Sequence, residues 1–263
     1  MSPAELFAIG LAVGFVGPIA GIGGGVLLTP ILLAYTDLDV DTARAIGLLA
    51  AMTTSSIAGS VYMARGMTRL NLVLAAALAM SAGSLAGARL GIAVAATYGA
   101  GPVKLALGVL ILAAAATILL GRAKAGSPST PDRLAKALGL YGTYYEESAG
   151  AEIRYGATRT PLALLALAAV GFISGFFGVG GGWALVPTYN LVMGLPIKVA
   201  VATSEATIAL GDAAGALAYL ESGKLEHIAQ LAPPAQAGVA FGALLGARVA
   251  AKARPPAIRW AVV

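Results

Sequence analysis

The sequence has no cysteine and a single histidine, His227. The first absence excludes disulfides and thiolate metal sites and leaves the compartment open. Together the two argue against a zinc or redox-metal centre, and no cofactor is expected. Charge is scarce as well. Asp, Glu, Lys and Arg make up 11% of the chain, where a soluble domain carries about a quarter. No removable targeting segment is expected, because the first apolar run follows Glu5 rather than a basic region. What fills the chain instead is hydrophobic residues, 59% of it. It reads as an all-α polytopic membrane protein embedded in the lipid bilayer. The net charge of +5 is no nucleic-acid footprint, since the basic residues fall between apolar segments and form no recognition helix. In a membrane protein such loop charges report orientation.

Two stretches repeat. "GFVGPIAGIGGGVLLTP" (14–30) returns as "GFISGFFGVGGGWALVP" (171–187), an offset of 157 residues that sets Gly23, Gly24 and Gly25 on Gly180, Gly181 and Gly182. "ARAIGLLA" (43–50) resembles "KVAVATSE" (198–205) at an offset of 155, and "VYMARG" (61–66) resembles "AYLESG" (218–223), with Tyr62 on Tyr219. "GSLAGARLG" (83–91) matches "GALLGARVA" (242–250), with Arg89 on Arg248. An internal repeat of this length in an apolar chain is a transporter signature. The first repeat spans 1–121, with a broken segment at 6–35 and helices at 43–63, 70–94 and 103–121. The second spans 161–263, with a broken segment at 161–194 and helices at 199–220 and 228–250. By symmetry a further helix should begin near Arg259 and continue past Val263. Between the repeats, 122–160 is a polar connector. Its "TPDRLAKAL" has helix-capping character, and "YYEESAGAEIRY" suits a small hairpin around Ala149-Gly150.

A helix over 6–35 would be roughly 45 Å long at about 1.5 Å per residue, too long for one crossing of a core of about 30 Å and too short for two. The basic residues decide how it runs. If both broken segments cross, nine basic residues lie on one side and eight on the other. If each returns to its own side, thirteen share the side of the connector and only Arg44, Arg89, Lys104 and Lys224 face the other. That asymmetry is the positive-inside pattern. It predicts a cytoplasmic connector, an outside N-terminus, and two inverted repeats, each a re-entrant broken-helix hairpin plus transmembrane helices. Irregular backbone at membrane depth is tolerated only where protein or a water-filled cavity covers it. Half-helices starting at Gly25 and Gly182 would aim their N-termini inward, which suits a small anion. Bulk at Gly24 or Gly181 would then block the approach of the ligand to the backbone. The competing reading gives these glycines to close helix packing.

Segment 201–216, "VATSEATIALGDAAGA", places Glu205 and Asp212 in an apolar run. A carboxylate at the bilayer centre costs about 2.5–3.5 kcal/mol on insertion scales. Either these two bind protons as access alternates, or they are capped by helix ends or paired with arginine. Glu205 is the better proton site because it adjoins Thr203 and Ser204. Thr203, Ser204 and Thr207 are the candidate hydroxyl donors to an anion, with Thr53, Thr54, Ser55 and Ser56 as their counterparts in the first repeat. The competing reading for each single hydroxyl is a bond to its own helix carbonyl. Tyr189 and Asn190 are placed to line the site and Trp183 to wall it. Arg89 and Arg248 sit near helix ends, where snorkelling explains them.

"GIGGGVLLTPIL" (21–32), "GVGGGWALVPTY" (178–189) and "AVATS" (200–204) resemble the TauE/SafE sulfite exporter family, and the likeness runs over nearly the whole chain. The first repeat departs from it in carrying "AIGLL" (45–49) where a Thr-Ser pair is usual. The resemblance implies a four-plus-four membrane permease of the cell membrane that exports sulfite, a sulfonate such as sulfoacetate, or another sulfur anion, and is not an enzyme. Its partners would be that small anion and protons. An anion channel, an intramembrane enzyme and an assembly factor are the alternatives. No Ser/His/Asp set or metal pair falls inside the apolar segments to support the enzyme.

Overall fold

The computed structural model describes residues 2–120, 130–146, 150–223 and 225–252. The first half builds α1 (Pro3–Ala20), α2 (Gly25–Tyr35), α3 (Val40–Ala64), α4 (Leu70–Tyr98) and α5 (Ala100–Leu120). The connector forms α6 (Arg133–Leu138) and the antiparallel pair β1 (Tyr141–Glu146) and β2 (Ala151–Gly156), with Glu146 opposite Ala151. The second half builds α7 (Thr160–Phe177), α8 (Gly182–Pro187), a π-helical turn (Thr188–Val192), α9 (Ile197–Gly211), α10 (Ala213–Leu220) and α11 (Leu225–Lys252). Helices α3, α4, α7 and α11 are long and apolar enough to cross a membrane. Leu78, Leu105 and Leu112 expose more than 70% of their surface, as leucines facing lipid do.

The ends of these helices follow from local chemistry. A capping box starts α1: Ser2 Oγ accepts from the Glu5 N–H while the Glu5 carboxylate accepts from the Ser2 N–H. Gly21, at φ 70°, ends it. Helix α2 then turns back along α3: Gly25 and Thr29 lie beside Gly47, Gly24 beside Thr54, and Tyr62 near the far end of α3 donates to Pro18 O. The second half repeats this with Tyr219 donating to Gly175 O.

The two halves interlock. Helix α1 packs on α11, and α7 packs on α4. Gly83, Gly87 and Gly91 let α4 approach the backbone of Ala168, Phe172 and Phe176. Gly242 and Gly246 let α11 approach that of Leu11 and Phe15 at the equivalent places. Such small-residue seams replace the hydrophobic drive that lipid removes. Helices α3 and α9–α10 cross in the centre and run antiparallel: Leu48 lies against Gly215, Ser55 against Glu205, and Thr68 just past α3 against Thr203.

The sequence expectation differs from the structure in register and in detail. The offset of 155 inferred for the second helices is corrected to 157. Val201 meets Gly21 as Arg44 meets Gly178, and the two tyrosine hydrogen bonds fix the same offset. The counterparts of Thr203 and Ser204 are therefore Ile46 and Gly47, and Ser55 is the counterpart of Asp212. Ala-rich helices resemble each other at several registers, so sequence similarity alone slipped by two. The 199–220 helix is interrupted at Asp212. The hairpin expected around Ala149-Gly150 forms, with Gly150 at φ 59°; residues 147–149 of its turn and the helix expected near Arg259 lie outside the described residues.

The connector is anchored to the bundle rather than loosely tethered. Lys198 at the start of α9 donates to Glu146 at 2.8 Å, a buried ion pair. The Asp132 carboxylate accepts from Ala135 N and from Thr160 N, each at 2.7 Å, and so caps α6 and α7 at once. Desolvation pushes this carboxyl up, but the amides of Thr160 and Ala135 outweigh it and hold it below the ordinary value. A carboxyl depressed on folding stabilises above its unfolded value, about 3.9, and that stabilisation is lost as pH falls through the folded one. Asp132→Ala is therefore expected to cost about 1 kcal/mol at neutral pH. The deficit should shrink below pH 4 when thermal unfolding is followed in detergent at both pH values.

Candidate functional site

The two hairpin tips touch reciprocally at the centre of the molecule. A Cβ on Gly182 would overlap the backbone of Ile22. One on Gly25 would come within 2.9 Å of Val179 O and 2.6 Å of Gly47 O. Ile22 and Val179 are themselves equivalent positions, so this is a two-fold style of contact in which i meets j′ and j meets i′. Gly23 and Gly180 have φ of 70° and 75°, a backbone state that side-chain-bearing residues rarely adopt. Thr29 donates to Gly178 O, and Ser204 Oγ donates to Gly21 O at 2.9 Å. Each tip is thus fastened by a hydroxyl.

Each tip also faces a carboxylate. Glu205 is fully buried, accepts from Ser55 Oγ at 2.6 Å, and has the Gly23 amide directed at it. Asp212 is fully buried, accepts from Ser174 Oγ at 2.6 Å and Ser84 Oγ at 3.4 Å, and faces the Gly181 amide. The place at which the sequence predicted an anion therefore holds the protein's own acidic groups, one per broken helix. A helix N-terminus favours negative charge there through its free N–H groups and dipole. Glu205 Oε1 and Asp212 Oδ2 are without a hydrogen bond, as are the neighbouring Thr54 Oγ1 and Trp183 Nε1. These donors and acceptors are buried without a partner, which is costly for each of them.

The remaining predicted residues divide into two groups. Gly23, Gly24, Gly25, Gly180, Gly181, Gly182, Thr54, Ser55, Ser204, Glu205 and Asp212 come together around the tips. Thr203 instead pairs with Thr68 at 2.7 Å, Thr207 with Tyr189 at 2.7 Å, and Asn190 donates to Leu195 O at 2.8 Å. Thr53 donates to Gln236, Ser56 is exposed, and Arg89 and Arg248 are exposed on their helices. The space in front of Gly24 and Gly181 belongs to Thr54 Oγ1 and to Met80 Cε, at 2.7 and 2.6 Å from an added Cβ. Steric blocking of a ligand is thus replaced there by contact with protein. Ser84 and Ser174 escaped sequence reasoning although both lie inside quoted motifs. The signal was available: a carboxylate in an apolar helix needs donors, and these are serines within apolar segments of the same chain. Among the described residues, no group of three or more His, Cys, Asp or Glu side chains is placed to hold a metal ion.

A buried carboxylate pair, broken helices and crossed antiparallel halves are features of machinery that handles ions at membrane depth. Comparison with known proteins agrees. Residues 6–263 match the family described as Sulfite exporter TauE/SafE. A "Probable membrane transporter protein YunE" of Bacillus subtilis (strain 168) is 28% identical over 256 residues, covering 95% of this chain and 89% of that protein. No solved structure matches. With the family match running from the first apolar helix to the end of the chain, the protein belongs to the TauE/SafE sulfite exporter family and is a membrane transporter rather than an enzyme.

Proposed function

We propose that the protein exports a small sulfur-containing oxyanion, sulfite or an organosulfonate, across the cell membrane, with the anion bound between the two hairpin tips and protons carried by Glu205 and Asp212. The two repeats are inverted in the membrane, the N-terminus lies outside, and the connector lies in the cytoplasm. The observation that carries this reading is the placement of one buried carboxylate against each broken-helix tip. An anion arriving there meets like charge, which disfavours two ionised groups in one low-dielectric site. Protonation of the carboxylate removes that repulsion and frees the helix N-terminus for the anion. Anion and proton then occupy the site together. The antiparallel run of α3 and α9 and the reciprocal contact of the tips support the inversion. The thirteen basic residues grouped with the connector support its orientation.

Calorimetry on the purified protein with sulfite, sulfate, thiosulfate and methanesulfonate tests the site. Saturable binding of at least one, tightening by about tenfold per unit fall in pH where one proton is taken up with the anion, is expected. Absence of binding across the panel would refute the reading. The orientation has its own check. Single cysteines at Ala4 and Asp37 should label from outside the cell and one at Lys136 only from inside, all three positions being exposed. Labelling of Ala4 and Asp37 from opposite faces would end the re-entrant model.

A further inference from the structure

Arg44 lies in the first turns of α3, fully buried. Its Nη1 donates to Asp41 at 3.1 Å and to Gly91 O at 3.0 Å. The guanidinium carbon stands 5.5 Å from the centre of the Phe176 ring and 5.9 Å from that of Tyr219. One end of the group is therefore anchored and its surroundings are aromatic. Nε and Nη2 have no hydrogen-bond partner although both are buried. Those two atoms form one edge of the guanidinium, the edge that grips two oxygens of a carboxylate, phosphate or sulfonate in parallel.

The pseudo-symmetry makes this position stand out. At the offset of 157, Arg44 corresponds to Val201, Asp41 to Lys198, Tyr219 to Tyr62 and Phe176 to Ile19. Gly91 corresponds to Ala250 at the offset of 159 seen for the third helices. Ile19, Tyr62, Lys198, Val201 and Ala250, with Met67, line a small cavity. The same location is thus open space in one half and filled by an arginine side chain in the other. A permanently charged group with a free bidentate edge is a poor choice for filler, because each unpaired N–H carries its full desolvation cost.

We propose that Arg44 is an oxyanion-binding residue at the outer end of the transport route, taking two oxygens of the sulfite or sulfonate group on its Nε–Nη2 edge as the anion passes. This rests on the orientation and anion reading given above. Asp41 and Gly91 hold the guanidinium in place, and the Phe176 and Tyr219 rings keep its environment dry, so the edge is preorganised. The cavity on the opposite face is lined by Lys198, which is paired with Glu146 at 2.8 Å, and has no guanidinium fork, so recognition there is weaker and the two faces differ in affinity.

The test is anion exchange in proteoliposomes of fixed orientation, with external and internal half-saturation measured separately. Arg44→Lys keeps the charge and loses the fork; it should raise the external value for sulfite about tenfold or more, the loss of one charge-assisted hydrogen bond, and leave the internal value within about twofold. Unchanged external half-saturation in Arg44→Lys would overturn the inference while leaving the transport reading intact. Absence of exchange in the unaltered protein would overturn both. Should the variant fail to assemble, competition on the unaltered protein decides: external methanesulfonate should inhibit sulfite exchange and chloride at equal concentration should not. Equal inhibition by chloride would exclude a bidentate edge.

Discussion

Gly182→Val is expected to abolish transport and to destabilise the protein more than any other single change at the tips. The added Cβ would overlap the backbone of Ile22 on the other hairpin, and backbone cannot rotate aside as a side chain can. Ile22 in turn is held by its neighbours, since Ile22 N–H donates to Gly17 O at 3.1 Å and Ser204 fastens the adjoining Gly21 carbonyl. Overpacking of a tight core costs about 1–3 kcal/mol and sometimes more, and here the displaced element is the site itself. The same logic ranks the other glycines. Gly25→Val also presses on backbone oxygens, at 2.6 and 2.9 Å from its Cβ, and should rank next below Gly182→Val. Gly24→Ala and Gly181→Ala press on Thr54 Oγ1 and on the flexible end of Met80, so both should assemble and retain measurable flux. Thermal unfolding in detergent and sulfite flux, measured on all four variants, check the order. A Gly182→Val protein with normal stability and normal flux would show that the tips are not in the contact described.

Glu205→Gln should leave the fold and anion binding in place and remove the share of the pH dependence of flux that Glu205 carries. The glutamine amide oxygen can still accept from Ser55, whose hydroxyl lies 2.6 Å from the carboxylate, so the local hydrogen bond survives. What disappears is the group that must be neutralised before an anion enters. In the unaltered protein, flux at limiting anion should fall by about tenfold per pH unit for each proton taken up, above the range in which the carboxylates hold their protons; in the variant that slope should be shallower by the Glu205 proton. Asp212→Asn is the control on the other tip. Its partners Ser174 and Ser84 can hydrogen-bond to an amide oxygen as well. If the Glu205 variant keeps the normal pH slope and the Asp212 variant loses it, the proton sits at the second tip.

Particular residues show how far the sequence could be read. The glycine triplets and the Tyr62/Tyr219 pair were visible because rare patterns recur at a fixed spacing, and the tyrosines turned out to make equivalent hydrogen bonds to Pro18 and Gly175. The positions of Glu205 and Asp212 were also legible, since a carboxylate in an apolar run is expensive. Their address was not. In one apolar run they read as two candidates for a proton site. The break at Asp212 and the crossing of α3 over α9 instead bring them to different tips. Ser84 and Ser174 became visible as partners only once α4 and α7 were seen to pack together, a pairing between opposite repeats that no local pattern encodes. The buried Lys198–Glu146 pair escaped for the same reason: it joins α9 to a connector strand 52 residues earlier. Arg44 entered sequence reasoning only as a charge that reports orientation and as part of a repeated stretch, because burial of a helix end depends on the neighbouring hairpin.

Simultaneous recording of sulfite and proton movement in proteoliposomes of the unaltered protein tests coupled transport most directly. An imposed sulfite gradient, with no initial pH difference, should drive saturable sulfite flux accompanied by proton movement in the same direction, and both should stop in the Gly182→Val protein. Sulfite flux that rises without saturation, or that proceeds with no proton movement, would contradict proton-coupled transport through the paired tips.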